Sequence, residues 1–175
     1  MNKTDFPEKT LEKKPQISSS VWVANSANVV GNVIIKENAS IWYNAVARGD
    51  INYISIGNRT NIQDGSVLHV ENDRACIIGD DVTIGHRAII HGCTIESGVL
   101  IGMGAIILNG ALIKKGSIIG AGAVIKENTI VNENELWVGI PGKYVKTVSK
   151  SYDKNIKWAA KYVQLKNKYQ EKKTH

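Results

Sequence analysis

Three histidines, His69, His86 and His91, are the side chains of this 175-residue chain best suited to chemistry. Three imidazoles and one open position form the donor set of a catalytic zinc that acidifies water. Ferrous iron or cobalt suits the same set. A lone histidine in a turn is ordinarily just a residue satisfied by hydrogen bonds. Here three of the four histidines fall in one stretch, inside a sequence that repeats every six residues. The phase of that repeat predicts where each ring points.

A branched aliphatic or small residue returns at Val23, Val29, Ile35, Ile41 and Ala47, then at Ile56, Ile62 and Leu68. It returns at Ile78, Ile84 and Ile90, and after a five-residue step runs from Ile95 by sixes to Trp137. Gly often follows, as in Ile84-Gly85 and Ile101-Gly102. This period predicts an all-β solenoid, a parallel β-helix with one aliphatic row per face. The sixteen glycines suit its corners, where φ is positive. Two stretches of the repeat carry extra residues, between Ala47 and Ile56 and between Leu68 and Ile78. The second is a polar loop containing Glu71, Asn72, Asp73 and Arg74. Such residues project from a corner, since the buried register must resume unchanged.

If three hexads make one coil, eighteen residues return the chain to the same face. Subtracting the extra residues stacks Arg48, His69 and His91 on successive coils, about 4.8 Å apart. The same sum stacks Asp64 and His86 on another face, with Gln63 beside them, more than about 10 Å from the first column. His69 and His91 can thus approach one metal from a single chain, and bringing His86 of the same chain to it is awkward. A heterologous contact that brings one chain's His86 to the next chain's His69 and His91 closes into a ring. Three faces make a trimer the simplest ring.

These residues resemble those of the γ-class carbonic anhydrases and their left-handed β-helix relatives. The matching segments are Arg48-Gly49-Asp50, Asn61 to His69, Ile84-Gly85-His86, His91-Gly92-Cys93 and Ile101-Gly102-Met103-Gly104, over roughly residues 15 to 170. The resemblance implies a left-handed parallel β-helix and a homotrimer with metal at each interface. His69 and His91 would come from one subunit and His86 from its neighbour. It also implies an inter-subunit ion pair between Arg48 and Asp64, and a water-orienting Gln63; Asp50 would support the pair. The chain departs from active members at Ile51, where they carry an acidic residue, and in its short loop, where Glu71 stands in for their proton-shuttling glutamate. Trp137 and Gly139 replace a tyrosine and an asparagine near their metal.

Three functions follow as expectations. The leading one is hydration of carbon dioxide to bicarbonate with zinc, ferrous iron or cobalt. Another is a metal-dependent acyl-CoA thioesterase or a hexapeptide-repeat acyltransferase, which the ending Val138-Gly139-Ile140-Pro141-Gly142-Lys143 resembles. The transferase logic needs one histidine base and no metal cage. The last is a non-catalytic, metal-stabilised trimeric scaffold.

The remaining composition sets boundaries. The net charge is +6, and residues 150 to 175 hold eight lysines against Asp153 and Glu171, so the surplus lies wholly there. No arginine is present in that segment to read bases, and no nucleic-acid partner is expected. No apolar stretch is long enough for a membrane span, and Met1 to Ser20 lacks a signal-peptide core. Cys76 and Cys93 lack metal-type spacing and fit a reducing cytoplasm as packed residues. The expected organisation is an arm (1–20), the β-helix with its metal site (21–142), and a linker and C-terminal helix (143–175). Ser149 or Ser151 would cap the helix. Trp158, Tyr162, Leu165 and Tyr169 would form its packing stripe.

Overall fold

The computed structural model describes residue 10 and residues 12–172. Residues 1–9 and 11 of the expected arm and residues 173–175 of the C-terminal segment lie outside it. The chain winds as a parallel β-solenoid of about seven turns with one C-terminal helix alongside. Three aliphatic columns build its core. On the face that carries two of the histidines, Ala47, Leu68, Ile90, Ile107 and Ile125 stack in register. The second face stacks Ile35, Ile56, Ile78, Ile95, Ile113 and Val131. The third runs Val23, Ile41, Ile62, Ile84, Ile101, Ile119 and Trp137. All but Val23 and Trp137 of these are buried, each Val, Leu or Ile contributing about 1.5–3 kcal/mol of transfer free energy and Ala47 less.

The two irregular stretches lie where the hexad count places them. Strand Asn28–Ile35 pairs Gly31 with Gly49 but Val33 with Ile54, so three residues are extra on the later strand. The second stretch folds into a tight turn closed by Glu71 and Arg74. Asn52 ties the two together, donating from Nδ2 to the carbonyl oxygens of Glu71 and Asn72, each at 3.2 Å. Ile51 turns inward and packs against the core. Gln16–Ile17 of the expected arm joins the second face as an edge strand beside Ile34 and Ile35. Lys143–Thr147, expected as linker, folds back antiparallel on Glu135–Val138 after the Pro141-Gly142 turn.

Helix Ser151–Lys172 lies along the solenoid, but only half of the expected stripe, Tyr162 and Tyr169, packs against it. Trp158 is 50% and Leu165 40% exposed, whereas the buried positions are Ser151, Asn155, Ala159 and Lys166. The cause is the surface beneath the helix. Solenoid corners present backbone carbonyls, which need donors more than apolar cover. Asn155 donates from Nδ2 to Gly98 O (2.8 Å) and Gly116 O (3.3 Å), and Lys166 Nζ donates to Ser20 O (2.9 Å). Ser151 donates its hydroxyl to Asn134 Oδ1 instead of capping the helix. Gly98 has φ +66°, and a Cβ there would lie 2.4 Å from the Tyr152 ring, so this contact requires glycine. Tyr162 and Tyr169 do pack as expected, against Trp22 and Trp42 of the first coils.

Candidate metal centre

His69 and His91 end equivalent strands, Val67–His69 and Ile89–His91, and are direct partners on adjacent coils. Their side chains point outward because the preceding Leu68 and Ile90 point into the core. His69 Nδ1 lies 3.0 Å from His91 Nε2. The far nitrogen of each ring is already engaged. His69 Nε2 meets Asp50 Oδ1 at 2.9 Å, and His91 Nδ1 meets Asn109 Oδ1 at 2.5 Å. A carboxylate only accepts, so His69 Nε2 carries the hydrogen and donates it to Asp50, which leaves Nδ1 with its lone pair directed at His91.

Asp50 itself is held from two sides. Arg48 Nη1 donates to its other oxygen, Oδ2. Burial pushes the Asp50 carboxyl up, but hydrogen bonds from His69 and Arg48 outweigh it and leave it below its ordinary value. It is therefore a carboxylate at neutral pH, as its acceptor role requires.

Asp64 and His86 lie together, as the arithmetic predicts, but in the corner turn before the histidine face, not within a flat face. Asp64 Oδ2 accepts from His86 Nδ1 at 2.8 Å, and both side chains are 42% exposed. Gln63 is 5% exposed, and its Nε2 donates to Asn61 Oδ1 (3.0 Å), which is anchored in turn on Thr83 Oγ1 (3.0 Å). Arg48 pairs with Asp50 within the chain, and Asp64 pairs with His86. Glu71 lies on the His91 side of the site, where Oε2 accepts from Asn109 Nδ2 (3.2 Å) and Oε1 from Asn72 N (3.1 Å).

Among the described residues, no three His, Cys, Asp or Glu side chains converge to hold a metal within one chain. The donor pair nevertheless fits one edge of such a site. Zinc–nitrogen bonds of about 2.0–2.1 Å in a tetrahedron separate two ligating nitrogens by about 3.3 Å. The 3.0 Å between His69 Nδ1 and His91 Nε2 is close to that edge. Asn109 is the residue here that the sequence reading missed. The five-residue step before Ile95 shortens this coil to seventeen residues, pairing Ile90 with Ile107, so Asn109 falls one position past the His91 column.

Known proteins resemble the chain over most of its length. Residues 75–109 and 92–127 match the family described as bacterial transferase hexapeptide (six repeats). A Methanocaldococcus jannaschii protein named "Probable carbonic anhydrase" is 53% identical over 150 residues, 85% of this chain and 94% of the relative. Gamma carbonic anhydrase 2 of Arabidopsis thaliana is 41% identical over 162 residues; these are 89% of this chain but 58% of that longer protein. The crystal structure of a hexapeptide transferase family protein from Anaplasma phagocytophilum superposes with a TM-score of 0.85 at 38% identity, covering 89% of this chain and 92% of the other. The shared solenoid, the paired His69 and His91, and relatives of this closeness lead to one assignment: the chain belongs to the γ-class carbonic anhydrase-like family of hexapeptide-repeat proteins.

Proposed function

We propose that the chain forms a homotrimer that hydrates carbon dioxide to bicarbonate at metal sites shared between subunits. His69 and His91 of one subunit and His86 of the next would hold zinc, or ferrous iron or cobalt in its place. One observation carries this reading: each of the three rings has one nitrogen held by a side-chain oxygen, from Asp50, Asn109 and Asp64 respectively. Metal-binding histidines are aimed in this way, the second nitrogen being left for the ion. The face itself supports a subunit contact. Val46, Val67, Ile89, Ile106 and Val124 form an outward aliphatic ladder beside the histidines, and Val67 and Ile89 are exposed. A row of this kind on a single chain calls for cover.

Bound metal supplies the Lewis acidity that brings the pKa of water to about 7. The chain's own residues do the rest. Gln63, fixed by Asn61, accepts a hydrogen bond with Oε1 and so orients the attacking oxygen toward carbon dioxide. Asp64 steadies His86, and Arg48 reaches across the contact to Asp64 in a bidentate pair that sets the register of the subunits. Asp50 supports Arg48 and His69 together. The cytoplasm is the compartment that suits two buried free thiols, and no described helix is long and apolar enough to cross a membrane.

Stopped-flow hydration assays on metal-loaded protein test the reaction. A rate above buffer is expected, and full occupancy without acceleration contradicts it. The likeness to a hexapeptide transferase family protein favours a second reading, acyl-group chemistry on coenzyme A thioesters. Release of free thiol from a panel of acyl-CoA substrates would establish that reading. Metal occupancy with neither activity would leave a trimeric scaffold.

A further inference from the structure

We propose that Asn109 is a positioning residue for His91, and that Glu71 acts through it as a structural brace. The inference rests on the metal-site reading above and adds the chain of contacts that sets one ligand. An asparagine amide can face either way, presenting its oxygen or its NH2 to a neighbour. The neighbour that decides is Glu71, whose carboxylate only accepts. With Glu71 Oε2 at 3.2 Å taking a hydrogen from Asn109 Nδ2, the amide oxygen must face His91. The oxygen at 2.5 Å from His91 Nδ1 then requires a hydrogen on that nitrogen. His91 Nε2 is left with its lone pair directed at His69 Nδ1, 3.0 Å away. An acceptor-only carboxylate thus sets the tautomer of His91 at one remove, as Asp50 sets that of His69 directly.

The surroundings hold this relay in place. Glu71 Oε1 is held by Asn72 N, and Asn52 fixes the Glu71 and Asn72 carbonyls. Gly92, next to His91, has φ +50°, and a Cβ there would stand 2.9 Å from Asn109 Oδ1. Each irregular stretch of the repeat therefore contributes one carboxylate behind one histidine, Asp50 for His69 and Glu71 for His91. The short loop is explained without a shuttle, because both Glu71 oxygens are engaged in bracing.

Zinc competition titrations on the parent chain, Asn109→Leu and Asn109→Asp test this, with native mass and circular dichroism checked for each. Leucine removes the acceptor at similar volume and is expected to weaken zinc binding about 10–100-fold. Aspartate keeps an acceptor toward His91 but loses the donor to Glu71 and faces its carboxylate, so it is expected to recover only part of that loss. Unchanged affinity in Asn109→Leu overturns the assignment. Nitrogen-15 spectra of the zinc-loaded parent give a test that needs no variant: His91 is expected to carry its hydrogen on Nδ1, and a hydrogen on Nε2 overturns the proposal. A parent chain that takes up no zinc defeats the metal-site reading itself, which separates that failure from this one.

Discussion

Asp50 occupies the position from which a single substitution disturbs most of the site. It accepts from His69 and from Arg48, and those two bonds hold it below the ordinary carboxylate value against the upward push of burial. An amide in its place can turn its NH2 toward His69 Nε2 and reverse that ring's tautomer. Asp50→Asn is therefore expected to weaken zinc about 10–100-fold in competition titrations, with the fold retained. Glu135 offers a residue-level test of pH dependence away from the metal site. Burial raises its carboxyl, but hydrogen bonds from Trp137 Nε1 (2.8 Å) and Asn132 outweigh it, so its folded pKa lies below its ordinary value. The stability this adds is present above the unfolded value, about 4.3, and is lost as pH falls through the folded one. Denaturant midpoints of the parent should fall in that acid window more steeply than those of Glu135→Gln. Cys76 makes a third case. Its neighbour Cys93 and complete burial push its thiol well up, and neither cysteine forms a disulfide. Both should resist thiol reagents in the native protein and react once it is unfolded.

Among the elements, the C-terminal helix separates what patterning predicts from what geometry demands. Asn155→Ala removes the donor to the Gly98 and Gly116 corner carbonyls and should cost about 1–3 kcal/mol in chemical denaturation. Trp158→Ala, on the exposed side, should stay within about 0.5 kcal/mol. A periodicity argument ranks these two the other way, because it assumes a helix buries its largest apolar residues. It holds for Tyr162 and Tyr169, which meet Trp22 and Trp42, and fails for Trp158, where the surface beneath the helix is a row of corner carbonyls taken by Asn155. The same argument succeeds for the solenoid, where each coil repeats the environment of the last and Leu68 must stack on Ala47 and under Ile90. His69 and His91 were legible for that reason: they follow core residues whose register is fixed. Asp64 and His86 were legible as a pair, but not as corner residues, since counting gives columns and not the path between faces. Asn109 was hidden because the five-residue step shortens its coil to seventeen residues and sets it one position past the His91 column, and because its role depends on Glu71 from a loop outside the repeat.

At the scale of the molecule, a single chain brings together two histidines and leaves the third on a corner, each ring aimed by its own oxygen partner. The proposed trimer completes the set three times by one heterologous contact, so metal content and assembly should be linked. Zinc measured in rings made from two defective subunits tests that claim most directly. Subunits with His69→Ala and His91→Ala have lost one half of the site, and subunits with His86→Ala have lost the other. Rings of either kind alone should bind no zinc. Any ring holding both kinds contains one contact where an intact His69 and His91 meet an intact His86, so mixed trimers should bind one zinc each. Mixed rings as empty as their parents, or full occupancy in rings of His86→Ala alone, would contradict a metal site shared between subunits.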